Sequence, residues 1–213
     1  MRFSLILHAT LMILSSNFAS AFGPAATNAF GIGLGSGQYF RVSETGVCAP
    51  RSSNNDLGED MVLDNEEPLS VIFQRGVVLQ RSGDHEGALK EYKFFVKAAE
   101  GCGVSPDMFA EVHVNIGAVY FKDILNEDLA KHHFELAIGY RPIGTAYVNL
   151  ALIALRNGSK AGASDPAAGR ACLEEAKSLL EKAIELDDTE QTKTAALRLL
   201  EDVQAIMKQM NMR

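Results

Sequence analysis

From residue 69 onward, apolar and small residues recur three or four positions apart. Gly76 and Leu79 are followed by Ala88, Tyr92 and Ala98, and Ile116, Gly117 and Tyr120 by Ala130, Phe134 and Ala137. Leu150 and Ala151 are followed by Ala176, Leu180 and Ala183. That period places one apolar stripe on each of a series of amphipathic helices. Breaks fall at Gly83-Asp84, near Asn126, at Pro142 and between Gly158 and Pro166, so the helices come in pairs joined by turns. A last segment carries Ala196, Leu199, Val203, Ile206 and Met210 at the same spacing. The front of the chain behaves differently. Phe3–Ile13 is a short apolar run, residues 22–55 have no sustained period, and Asp56–Glu67 holds six acids and no base before Pro68.

The pairs repeat. Gly117 and Ala151 stand 34 residues apart. The run Val112-His113-Val114-Asn115-Ile116-Gly117-Ala118-Val119-Tyr120, with Ala130, Phe134, Ala137 and Pro142 after it, resembles the tetratricopeptide repeat (TPR), a helix–turn–helix unit of about 34 residues. Gly117 and Ala130 let two helices approach, while Ile116, Tyr120, Phe134 and Ala137 fill the space between them. The turn holds one extra residue near Asn126. The first copy has Arg75 where an apolar residue is expected, and the third closes on Ala183-Ile184-Glu185-Leu186-Asp187-Asp188. The expected fold is all-α: a right-handed array of three TPR hairpins over 69–188, with a capping helix over 189–213 shielding the open end.

The third copy is longer than the plan. Gly158 and Ala176 are 18 residues apart, against about five in an ordinary unit. Asp165-Pro166 reads as an N-cap with proline at the first helical position. The sequence therefore predicts that Gly158 closes one helix, a loop follows, and a helix runs from Pro166 to Asp187. An insertion at this place resembles the plastid photosystem I assembly TPR proteins, which also share the Asn115-Ile116-Gly117 string.

TPR arrays bind peptides on the face lined by their first helices. Family analogy puts Phe73, Val77 and Arg81 of the first copy on that face. It adds Val114, Asn115, Ala118, Phe121 and Lys122 of the second, and Val148, Asn149, Leu152 and Arg156 of the third. Arg81, Lys122 and Arg156 occupy one register, which suits a partner segment with an apolar body and an acidic flank. Phe73 and Val77 stand where the carboxylate clamp of chaperone-binding TPRs needs Lys and Asn, so no chaperone-tail binding is expected.

Charge changes the picture in one respect. The net charge of −7 divides into +2 through Asn55 and −9 beyond it. An acidic body argues against nucleic acid as a partner. The front reads as an address. Met1-Arg2, the apolar run and Ala19-Ser20-Ala21 form a secretory signal over 1–21, too short to span a bilayer. The string Ala19-Ser20-Ala21-Phe22-Gly23-Pro24 resembles the A-S-A-F-A-P junction of bipartite plastid presequences in diatoms and related algae. That resemblance implies a transit segment over 22–55 and a plastid destination, stromal or thylakoid-associated, with a thylakoid-membrane complex as a candidate partner. Residues 56–68 follow as an acidic linker. Without the transit reading, the alternative is an adaptor in the secretory route, where Asn157-Gly158-Ser159 is a glycosylation sequon.

Chemistry finds little support. His132 and His133 are adjacent, and on a helix they point about 100° apart. His113 takes the interhelical place usually given to Trp. Gly31–Gly37 lacks the lysine of a phosphate loop. Cys48, Cys102 and Cys172 have no zinc spacing, which leaves a thiol enzyme on Cys102 or Cys172 as the remaining alternative of another class. No catalytic residue, metal or cofactor is expected. The function expected is a non-catalytic scaffold or assembly factor.

Overall fold

The computed structural model describes residues 41–42, 48–49, 67–162, 164–186 and 189–211. The expected secretory signal, the Ala19–Pro24 junction, the Gly31–Gly37 run and nearly all of the expected acidic linker lie outside them. Among the described residues, three two-residue strands precede seven α-helices. The strands β1 (Arg41–Val42), β2 (Cys48–Ala49) and β3 (Glu67–Pro68) pair antiparallel in the order β2-β1-β3. Strands of two residues are too short to show alternation, so the sequence pattern predicts none of them.

The helices are α1 (Leu69–Ser82), α2 (His85–Ala99), α3 (Pro106–Val119), α4 (Glu127–Tyr140), α5 (Gly144–Ala161), α6 (Pro166–Glu185) and α7 (Glu190–Asn211). They pack as three hairpins, α1/α2, α3/α4 and α5/α6, with α7 laid against α6 and α5. The array is the all-α, TPR-like arrangement expected, closed by a C-terminal helix.

The small residues do what the pattern asks of them. A methyl group on Gly76 would sit 2.6 Å from the Tyr92 ring, and one on Gly117 the same 2.6 Å from Phe134. Each glycine is thus the floor on which the aromatic ring of the second helix rests. Tyr92, Phe95, Phe134, Ile116, Leu173 and Leu180 are fully buried along the seam. The turns are capped where polar residues were placed. Asp84 accepts from the Gly87 amide at 2.9 Å, Asn126 from Leu129 at 3.1 Å, and Asp165 from Ala167 and Ala168 at 2.9 and 3.2 Å. Arg75, the residue out of pattern, ion-pairs with Glu91 of α2 at 2.6 Å.

The extra residue of the second hairpin is absorbed in a π-helical turn, Tyr120–Ile124, which ends on Leu125 in the left-handed region at φ 58°. The third hairpin departs from expectation. Gly158 does not close α5, which continues to Ala161, and the loop shrinks to Gly162–Asp165. The surplus is therefore mostly added helix. Gly158 is interior because Cys172 and Gly169 of α6 cross against it: added methyl groups would lie 2.9 Å from Cys172 Cβ at Gly158 and 2.8 Å from Gly162 at Gly169. A glycine there serves close approach rather than termination. The α6 helix ends at Glu185 and Asp187 lies outside the described residues. Asp188 does too, and the side chain that caps α7 is Thr189, which accepts from the Thr192 amide at 3.1 Å.

Candidate functional site

Helical spacing places Val114, Asn115 and Ala118 on one side of α3, continued by Phe121 and Lys122 of the π-helical turn. Asn115 and Ala118 are half-buried, Val114 and Phe121 are buried, and Lys122 keeps an exposed side chain. Crowding around the Lys122 amine holds its pKa below the usual lysine range, with Asp123 pulling the other way. On α1, Val77 is half-buried and Arg81 exposed in the last turn. Phe73 is buried, with ring centroids 5.8 Å from Tyr92 and 6.0 Å from Phe95. It belongs to the first hairpin's core more than to a binding face.

The second and third hairpins meet in a tight polar–aromatic cluster. The Arg156 guanidinium lies 4.3 Å from the centroid of Phe121, and its Nη1 is 3.3 Å from Glu127 Oε1. Lys160 donates to the same oxygen at 2.7 Å. The predicted stripe of three cations is thus altered: Arg156 is engaged by Glu127 and stacked on Phe121. Glu127 was not among the expected site residues. Its signal was an acid in the first turn of α4, which also reads as ordinary helix-dipole compensation.

The third repeat does not present the face expected of it. Val148, Asn149 and Leu152 are 0%, 3% and 7% exposed. The α6 helix covers α5 along its length, and α7 crosses α5 where the Thr145 and Thr192 hydroxyls stand 3.4 Å apart. Asn149 donates its amide to the Thr145 carbonyl at 3.0 Å and has been absorbed into the core. Asn115 contrasts with it: no side-chain hydrogen bond among the described residues occupies its half-exposed amide.

Sequence reasoning also missed a histidine pair. His113 on α3 and His133 on α4 bring their Nδ1 atoms to 3.0 Å. They stand in a stack of rings from Phe109 through Tyr140, His113 and His133 to Tyr120, at centroid distances of 4.9–5.6 Å. His113 was correctly placed between the helices, but the extra residue near Asn126 gave no sign that His133 would meet it there.

Of the two cysteines considered for thiol chemistry, Cys102 is disulfide-bonded and Cys172 is free and half-buried. The thiol reading therefore loses Cys102. Among the described residues, no group of three or more His, Cys, Asp or Glu could hold a metal, and no helix is long and apolar enough to cross a membrane.

No protein-family model and no curated protein matches the chain. A solved structure, the first TPR of Spaghetti (RPAP3) bound to the HSP90 peptide SRMEEVD, is similar at 18% identity, over 66% of this chain and 93% of that chain, with a TM-score of 0.44.

Proposed function

We propose that the chain is a non-catalytic protein-binding scaffold whose partner seats on the α1–α3 side of the array. The observation that carries this reading is Asn115. Its amide is half-exposed and unoccupied, with Ala118 beside it and the exposed Lys122 further along the same side. Such an amide offers one donor and one acceptor to an extended backbone, and the apolar and cationic neighbours suit a segment with an apolar body and an acidic flank. The site is smaller than the twelve residues predicted, because the third repeat's first helix is core.

Peptide display against the full chain tests it. Selected peptides are expected to be apolar with Asp or Glu at one end, and to bind Asn115→Ala and Lys122→Glu variants at least about tenfold more weakly, one lost hydrogen bond to a charged or desolvated group each. Equal binding by both variants would move the site elsewhere. A peptide ending in Glu-Glu-Val-Asp is expected not to bind, since Phe73 and Val77 stand at the clamp positions. Tight binding of that peptide would overturn the partner chemistry while leaving the scaffold reading intact.

The setting we propose is a plastid, with a role in assembling a membrane complex such as a photosystem. The Ala19–Pro24 junction and the long third repeat support it, both by resemblance. A fluorescent protein fused after residue 60 is expected to enter the plastid. Retention in the endomembrane system or release to the medium would replace this with the secretory adaptor, and sugar on Asn157 would point the same way.

A further inference from the structure

The His113–His133 contact has a chemistry that the packing of the hairpin does not require. At 3.0 Å between Nδ1 atoms, two lone pairs would repel and two N–H groups would collide. One hydrogen therefore lies between the rings: one Nδ1 donates and the other accepts. A first proton can be taken up at the far nitrogen of the donor ring, and the bridge survives as a charge-assisted bond. The second proton has one place to go, the accepting Nδ1. Its arrival removes the acceptor and leaves two cations facing each other.

We propose that His113 and His133 form a proton-operated latch between α3 and α4, closed while one hydrogen bridges the rings and open when both rings are cations. The groups facing the pair hold protons off it. On α4, His132 stacks edge-on against His133 at 5.5 Å and Tyr140 lies 5.5 Å from His113. From the π-helical turn, the Tyr120 ring lies 5.6 Å from that of His133. From α2, Lys93 bonds the Tyr120 hydroxyl at 2.9 Å. The charged groups that act on the pair, His132 and Lys93, are basic and oppose its protonation.

Burial adds to this. His113 is 5% exposed. Desolvation comes first and neighbouring positive charge second in holding His113 below the usual histidine range and His133 at about 4. Because the native pair binds protons more weakly than free histidine does, the unfolded chain gains protons first as pH falls. The stability the neutral pair provides is complete above about pH 6.5 and is lost as pH drops through the native values. Lys93 and Tyr120 carry the consequence to the first hairpin, because opening the stack frees the ring that Lys93 holds. The latch stands whether or not the Asn115 side binds a partner.

Amide hydrogen exchange of the full chain, corrected for intrinsic rates, tests it. Between about pH 7 and pH 4.5, residues 106–140 are expected to lose at least about tenfold in protection relative to residues 144–185. A His133→Phe variant, which keeps a ring in the stack, is expected to lose less than about twofold. Parallel behaviour of the two hairpins in the wild type, or an equal acid response in His133→Phe, would overturn the latch. If that variant fails to fold, nitrogen-labelled histidine in the wild type decides. Two linked steps below about pH 6.5 support the shared hydrogen, and two independent titrations near 6.5 refute it.

Discussion

The second and third hairpins both hold more residues than the repeat allows, and they dispose of the surplus in different places. In α3/α4 one residue is taken up in the π-helical turn Tyr120–Ile124 and the left-handed Leu125. In α5/α6 the surplus becomes helix in both arms, with Gly158, Gly162 and Gly169 letting the arms stay close. The difference follows from helix geometry. One residue inserted in an α-helix rotates everything beyond it by about 100°, which would turn Phe134 away from Gly117. The second hairpin must discard that residue locally. Two antiparallel arms that grow outward together past the last shared contact keep their register, so the third hairpin can simply lengthen.

If the second hairpin is locked by its ring-on-glycine seam, removing the ring should have the largest effect in the molecule. Phe134→Ala is expected to cost about 4 kcal/mol in urea unfolding, since a fully buried aromatic leaves a cavity. Cys172→Ala, at the corresponding crossing of the third hairpin, is half-buried and should cost under about 1 kcal/mol. Similar losses at the two sites would show that the hairpins are locked alike.

The glycines sharpen the contrast. Gly117→Ala drives a methyl group to 2.6 Å from Phe134, between helices that are held on both sides. About 3 kcal/mol is expected. Gly158→Ala meets Cys172 Cβ at 2.9 Å near a hairpin tip joined by a short loop, and about 2 kcal/mol is expected as the arms spread. The comparison fails if Gly158→Ala is the more damaging change.

How much of this the sequence discloses depends on what kind of signal each feature leaves. Gly76, Gly117 and Phe134 are legible because an apolar stripe with a small residue at fixed spacing arises from little besides two helices packed closely together. The C-terminal helix is legible for a related reason, its sustained apolar stripe. Asn149 is not. Its register is that of Asn115, and what separates them is the cover that α6 and α7 place over α5, a tertiary fact absent from local pattern. Arg156 reads as a groove cation until Glu127 is brought to it from 29 positions away in the chain. The 69–188 boundary rests on periodicity, whereas the strands at residues 41–49 are two residues each and carry no period at all.

Caps distinguish the hairpin tips more gently. Asp165→Ala removes an acceptor that serves two amides and should cost about 1 kcal/mol. Asn126→Ala removes an acceptor for one, Leu129, and should cost somewhat less.

The smallest effect has the opposite sign. Leu125 is 67% exposed and sits at φ 58°, so it contributes little burial and bears the clash of Cβ with its own carbonyl, about 1–2 kcal/mol for an ordinary residue. Leu125→Gly relieves that clash and returns up to about 1 kcal/mol of it as added freedom in the unfolded chain. A net gain of about 0.5 kcal/mol, seen as a midpoint rise of one or two degrees, is expected. Gly162, the C-cap of α5, has ordinary helical dihedrals at φ −62° and bears no left-handed strain of this kind. If Leu125→Gly destabilises instead, the π-helical turn is held by contacts of the leucine side chain rather than tolerated as the place where a surplus residue is put.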